Sequence, residues 1–103
     1  MYFEGQYIAF EGQEKKSIVV WVGKIVSVAI TNYGVHFMDR VHRDYGGCWQ
    51  LCKDLGSPGT PWLTNVVKES VICGVVWEAC RNCTFHMGDN QWDAIHEKFR
   101  EHE

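Results

Sequence analysis

The stretch Ser17–Ile30, SIVVWVGKIVSVAI, carries the strongest β-strand signal in the chain. Valine, isoleucine and tryptophan dominate it, and these residue types fit a pleated, half-buried surface. Gly23 interrupts the run, and a glycine inside a strand pattern indicates a bulge or a sharp bend. Because small barrels turn their corners with such bends, we expect one long strand that bends around Gly23.

Shorter β segments surround this stretch. The predicted elements are strands at Gln6–Phe10, Val35–Met38, Trp49–Leu51 and Val71–Trp77, a loop at Glu11–Lys16 and a turn at Thr31–Gly34. The turn is predicted because Asn32 and Gly34 tolerate the positive φ of tight hairpins, and Val71–Trp77 is apolar enough for a buried strand. The spacing of these strands favours a small antiparallel barrel or curled sheet over a parallel α/β fold.

Two helices are predicted in the second half of the chain. Thr60 fits an N-cap and Pro61 a first helical residue, which indicates a short helix near 61–68. Nearer the C-terminus, side chains recur at the i, i+3, i+4 and i+7 spacing of one helix face: Trp92, Ile95, His96 and Phe99. We expect a closing helix at about 90–102 that packs its Trp92 and Phe99 side onto the sheet. Residues 1–103 fit a single, mainly β (α+β) domain.

Composition narrows the class of partner. Five Trp, five Phe and four Tyr are many for a small core, so we expect some rings in a groove or on a contact face. A net charge of -3 suits a basic partner better than a phosphate backbone. No apolar run approaches a membrane span, and the first residues lack the pattern of a signal peptide. We expect an intracellular protein, cytoplasmic or nuclear, without a membrane partner.

The cysteines are candidates for a metal site. Cys80 and Cys83 have the spacing of a zinc knuckle, and Cys48 and Cys52 could complete a tetrahedral set. Free cysteine is also among the most buried residue types, and Cys73, within an apolar segment, fits a plain core position. We therefore expect no cofactor, and a structural zinc held by Cys48, Cys52, Cys80 and Cys83 is the alternative.

Catalytic patterns are weak. A nucleophilic cysteine needs a neighbouring histidine and a pair of oxyanion donors, and the five histidines show no recognisable partner spacing for Cys48. The loop Gly56–Gly59 lacks the Lys-Ser/Thr that follows a phosphate-binding glycine loop. We expect a protein that is not an enzyme.

Three segments resemble the first three strands of a Tudor-type, SH3-like barrel: Gly5–Phe10 (GQYIAF), Val20–Val26 (VWVGKIV) and Val35–Asp39 (VHFMD). The resemblance implies an aromatic cage that binds methylated lysine or arginine, as in chromatin tails, through cation–π attraction. Trp21 matches a cage position on the second strand. Where the family has Asp-Tyr-Gly, Asp39 is followed here by Arg40, whose charge would repel a cation; Asp44-Tyr45-Gly46 comes five residues later.

We therefore expect a non-catalytic interaction module that binds a protein or peptide, such as a basic or methylated tail. The contact surface is predicted at an aromatic-lined, loop-rich edge of the barrel. Its expected residues are Trp21, Phe37, Arg40, Tyr45 and Trp49, with Trp62 as a further candidate ring.

Other functions remain open from the sequence. A nucleic-acid-binding barrel would use the same rings to stack on bases, and Lys24, Arg40 and Arg43 would contact the phosphate backbone of the nucleic acid. The cluster of Arg40, His42 and Arg43 is flanked by Asp39 and Asp44, which nearly cancel its charge. Two further alternatives remain. One is a small inhibitor or adaptor, possible also as a viral protein, that blocks a larger protein. The other is a zinc-stabilised binding domain.

Overall fold

A computed structural model describes residues 2–14, 16–40, 48–51, 63–81 and 84–102. The strands are β1 (Tyr7–Glu14), β2 (Ser17–Val28), β3 (Asn32–Arg40), β4 (Cys48–Leu51), β5 (Leu63–Val67), β6 (Val71–Val75), β7 (Ala79–Arg81) and β8 (Thr84–His86). A 3₁₀ turn, Lys68–Ser70, joins β5 to β6, and the helix α1 runs from Asp89 to His102. The mainly β class and the C-terminal helix are confirmed.

The strands form one antiparallel sheet that branches at β3. The order is β6-β1-β2-β3-β4-β8-β7, and β5 also pairs with β3. The first part of β3, Asn32–His36, pairs with β5, whereas Met38–Arg40 pairs with β4. The sheet is not closed, because no ladder among the described residues joins β5 to β1 or β6. The predicted barrel is therefore open along the seam between β1 and β5.

Alternate residues of a strand point to opposite faces of the sheet, and apolar side chains are buried on both faces. The face beneath α1, here the helix face, buries Ala9, Val22, Met38, Trp49, Val75, Met87, Trp92 and Ile95. The opposite side, here the far face, buries Ile8, Phe10, Ile25, Tyr33, Val35 and Val66. The central strands thus bury side chains in both directions, which explains the nearly continuous apolar run that opens β2.

The closing helix packs its Trp92 side onto the sheet as predicted, whereas Phe99 is half-buried and belongs to neither core cluster. Trp92 is 6% and Ile95 2% exposed, and both pack in the helix-face cluster. The side-chain amide of Gln91 accepts a hydrogen bond from the Val76 N–H (2.8 Å) and donates one to the Val76 carbonyl (2.6 Å). These bonds fix the start of α1 to the end of β6.

The helix predicted near 61–68 is wrong. Leu63–Val67 is the strand β5, paired with β3 from Asn32 to His36. Thr64, Val66 and Val67 are β-branched, and Val66 is buried against the far face. Pairing with an antiparallel strand stabilises such residues more than a short isolated helical turn does. Residues 60–62, which carried the capping signal, lie outside the described residues.

The bulge predicted at Gly23 is also wrong. Gly23 stays in register with Ile8 and Phe37, and the irregularity in β2 lies between Ile25 and Ser27. A side chain at Gly23 would collide with Val35, so the glycine provides space for far-face packing.

Two loop boundaries differ from the prediction. β3 begins at Asn32, and the hairpin is closed by the Ala29 N–H donating to the Asn32 carbonyl at 2.9 Å. The turn therefore lies before the Asn-Tyr-Gly triplet. β1 extends to Glu14, so most of the predicted loop at Glu11–Lys16 is strand. Pairing with the apolar β2 extends β1 into a polar segment that shows no strand signal by itself.

Candidate functional site

Three aromatic side chains meet at one end of the far face and form what we name the aromatic corner: Phe10, Trp21 and Phe37. Phe10 and Trp21 are direct partners in the β1–β2 ladder, and their ring centroids lie 6.2 Å apart at 85°. Phe37, on β3, lies 5.1 Å from Trp21 at 84° and 5.9 Å from Phe10 at 35°. All three separations are typical of stabilising aromatic pairs, and the two pairs that include Trp21 are edge-to-face.

Gly12 positions the indole of Trp21. The ring lies directly over the Gly12 backbone, and a Cβ at this position would overlap the six-membered part of the indole. Gly23 leaves comparable space on the neighbouring strand, where an added Cβ would meet Val35 and come within 3.3 Å of Phe10. The corner therefore depends on two glycines as well as on its three rings.

The aromatic corner borders an open depression of about 210 Å³ at the seam of the sheet. Phe10, at 2% exposure, is its floor, whereas Trp21 and Phe37 are half-buried and present ring surface to solvent. The rim comes from β1, β5 and the 3₁₀ turn, through Glu11, Gly12, Gln13, Thr64, Asn65, Val66, Val67 and Ser70. The depression is small, and its walls suit one side chain rather than a large ligand.

The charge around the depression favours a cation. None of its described lining residues is basic, and Glu11 is the one charged residue among them, although its side chain alternates with Phe10 toward the helix face. Asp39 follows Met38, the ladder partner of Val22, so it lies beside Trp21 on the neighbouring strand and is exposed. Aromatic ring faces carry partial negative charge, so rings and carboxylates attract the same kind of guest.

Trp49 does not belong to this surface. It is 4% exposed and lies on the helix face, 5.4 Å from Trp92 and 6.3 Å from Trp77 by ring centroids. Trp21 and Trp49 both line a second depression, described below, and their predicted role in partner binding stays a prediction. Adjacent strand residues alternate in direction, and Trp49 shares the face of Val22 rather than that of Trp21.

Other predicted contact residues cannot be placed in the site. Arg40 ends β3 and pairs with Trp49 in the ladder, and its side chain lies outside the described part of the structure. Tyr45 and Trp62 lie outside the described residues, as do His42 and Arg43. Lys24 pairs with Tyr7 and His36 and is not among the residues that line the depression.

The zinc prediction remains untested. Cys48 pairs with His86, and Cys80 pairs with Phe85, in neighbouring ladders, while Cys52 and Cys83 lie outside the described residues. Within the described ranges, no group of three or more His, Cys, Asp or Glu residues could hold a metal ion. Cys73 packs against the helix face, as predicted, and burial raises the pKa of its thiol while nearby Lys98 opposes the shift.

A second depression, of about 330 Å³, lies on the helix face. It is lined by Val19, Val20, Trp21, Val22, Met38, Asp39, Trp49, Trp92 and His96. The Nδ1 atom of His96 lies 3.0 Å from the Trp92 carbonyl and donates to it, because a carbonyl only accepts. Trp49 and Trp92 are nearly fully buried, and the half-buried Trp21 lines this depression as well as the aromatic corner.

Phe10 is the site residue that the sequence interpretation missed. A signal for it exists, because a tight hairpin centred between Lys15 and Lys16 puts Phe10 directly opposite Trp21. The part of the rim that β5 forms was not predicted, because Thr64–Val67 was assigned to a helix.

Comparisons with models of known protein families, with curated proteins and with solved structures found no match for this chain. The described residues contain no helix long and apolar enough to cross a membrane.

Proposed function

We propose that the protein is a non-catalytic interaction module that binds a basic protein or peptide segment at the aromatic corner. The observation that carries the proposal is the arrangement of Trp21 and Phe37 as two perpendicular, half-buried rings above Phe10, at a depression whose described lining contains no basic residue. A lysine or arginine side chain from the partner fits the size and charge of this depression.

The topology supports this proposal. The order β6-β1-β2-β3-β5, with a 3₁₀ turn between β5 and β6, resembles an SH3-like barrel of the Tudor type. Trp21 is the cage position suggested by that resemblance, and Phe10 and Phe37 contact it directly. Methyl groups on the bound cation would add apolar contact with the rings, so a methylated tail is the more specific form of the proposal.

The expected affinity is modest. A cation over one ring contributes about 0.5–2 kcal/mol, depending on desolvation. Two half-buried rings and one nearby carboxylate therefore give a weak contact, and a useful affinity requires further interactions along the partner chain.

The test replaces a ring without removing its apolar volume. Phe37→Leu keeps apolar bulk and removes the aromatic face, and we expect it to weaken binding of an arginine-containing peptide about three- to tenfold. Phe3→Leu is the matched control, because Phe3 is exposed and lies outside the corner. Intrinsic tryptophan fluorescence or amide chemical shifts would follow the titration.

Two outcomes would contradict the proposal. Equal affinity for peptides with central Arg and central Glu would show that the site does not select a cationic side chain. Binding of single-stranded oligonucleotides that falls steeply with salt would instead support the nucleic-acid alternative, because released counterions dominate that kind of binding.

A further inference from the structure

We propose that β5 accepts the partner as an added β-strand, so that an extended basic peptide pairs with the edge of β5 while its cationic side chain lies in the aromatic corner. This inference rests on the proposed function and adds the conformation of the partner. Addition of a strand to an exposed sheet edge is a common mode of peptide recognition, in which backbone hydrogen bonds supply affinity and side-chain pockets supply specificity.

The seam of the sheet provides the edge. β5 pairs with β3 through Leu63–Val67, and no other strand among the described residues pairs with it. Across the seam, the ladder between β1 and β6 ends at Phe10 and Val71. The depression lies between these two strands, since Gly12 and Gln13 line one side and Thr64–Val67 line the other.

The sequence of β5 lacks the usual protection of an edge strand. Natural edges carry lysine, proline or bulges, which prevent pairing with other chains. β5 reads Leu-Thr-Asn-Val-Val, without a charge or a proline, and Leu63 and Val67 are 56% and 50% exposed. Such an edge is expected to pair with another chain when one is available.

The outer side of the sheet at β6 shows the contrast within the same molecule. The helix α1 packs beside β6, and the Gln91 amide bonds to both backbone groups of Val76 just after the strand. A side-chain amide there makes the two bonds that a neighbouring strand would make. The chain thus covers the region of β6 and leaves β5 without such a cover among its described residues.

The charge and the position of the depression indicate which kind of strand would bind at the edge of β5. The corner and the β5 edge share one depression, since Phe10, Trp21 and Phe37 line it together with Thr64–Val67. No described lining residue is basic, and the chain carries a net charge of -3. A strand with a central arginine can therefore satisfy the backbone edge and the aromatic corner at once, which a neutral or acidic strand cannot.

The probe is the blocked heptapeptide Thr-Val-Thr-Arg-Thr-Val-Thr, titrated into the full ¹⁵N-labelled chain. We expect the amides of Leu63–Val67 that do not bond to β3 to exchange with solvent at least about tenfold more slowly at saturation. Two N-methylated versions serve as matched controls, one modified on the odd residues and one on the even residues. Because successive N–H groups of a strand point to opposite edges, only one version should lose affinity, by about tenfold.

The outcomes separate the two proposals. If the peptide binds and Phe37→Leu weakens it, but β5 gains no protection and both N-methylated versions bind equally, strand addition is overturned and the corner survives as a site. If the peptide does not bind, both proposals fail. If β5 is already protected without peptide, in proportion to protein concentration, a second copy of the chain occupies the edge and the peptide partner is overturned.

Discussion

The two faces of the sheet use aromatic rings in different ways. On the helix face, Trp49 and Trp92 are covered by α1 and the strands, and further rings, Tyr7, Trp77 and Phe85, contact one another at 5.4 Å. On the far face, no helix of the described residues lies above the aromatic corner, and Trp21 and Phe37 keep part of their surface exposed.

This difference shows that aromatic content alone does not locate a binding surface. The same strands supply both clusters, and one residue of shift along a strand moves a ring from one face to the other. Both faces contain core residues, and Trp49 and Trp92 are the rings buried on the helix face, where α1 packs, as Phe10 is on the far face. The far-face cluster has ring surface left for a partner.

The sharpest test of this comparison is a pair of tryptophan truncations. We expect Trp49→Ala to lower the free energy of unfolding by about 3–5 kcal/mol, as for large buried side chains. Trp21→Ala should cost about 1–2 kcal/mol, because its ring is only half-buried. Urea denaturation measures both values, and binding of the arginine peptide should respond mainly at Trp21.

A domain that loses 5 kcal/mol can unfold outright. Trp49→Phe keeps most of the volume, so it preserves a measurable transition. If Trp21→Ala costs as much stability as Trp49→Ala, the far-face cluster is core and the contrast between the faces disappears.

The support beneath the corner gives an intermediate effect. Gly12→Ala puts a methyl group where the indole of Trp21 lies, and we expect a loss of about 1–3 kcal/mol together with weaker peptide binding. Gly74→Ala is the matched control, because its nearest neighbour would be a Tyr2 ring carbon at 3.3 Å, on a side chain that can turn away. Tryptophan fluorescence should shift in Gly12→Ala and stay unchanged in Gly74→Ala.

The attachment of the helix gives the smallest effect. Gln91→Ala removes two hydrogen bonds to Val76 in an exposed position, and we expect a loss of about 1 kcal/mol. Amide exchange at Val76 should speed up, whereas peptide binding at the corner should not change. A change in peptide affinity would show that the two faces are coupled through the sheet.

The sequence interpretation succeeded where the pattern was local. The alternation and β-branched content of β2, β3 and β6, and the periodicity around Trp92 and Ile95, predicted strands and a closing helix that the structure has. It failed at Leu63–Val67, where a Thr-Pro capping signal outweighed β-branched residues, because pairing with Asn32–His36 is a distant contact that no local signal reports.

The candidate site was predicted in part. Trp21 and Phe37 were named from the chain and do contact each other in the structure. Phe10 was missed as a candidate residue, and Trp49, predicted at the contact edge, is buried on the helix face. Register between strands decides both points, and register depends on turn geometry and on the burial of a whole face.

By itself, the sequence determined the β-rich class, the C-terminal helix, the aromatic excess and the mild acidity, since these follow from composition and short-range periodicity. Only the tertiary structure decided that the sheet branches at β3 and stays open beside β5, and that α1 covers one aromatic cluster and leaves the other. The physical reason is that a side chain is buried only when a second surface packs against the one that carries it. A strand presents two faces, and the element that packs on one of them comes from a distant part of the chain.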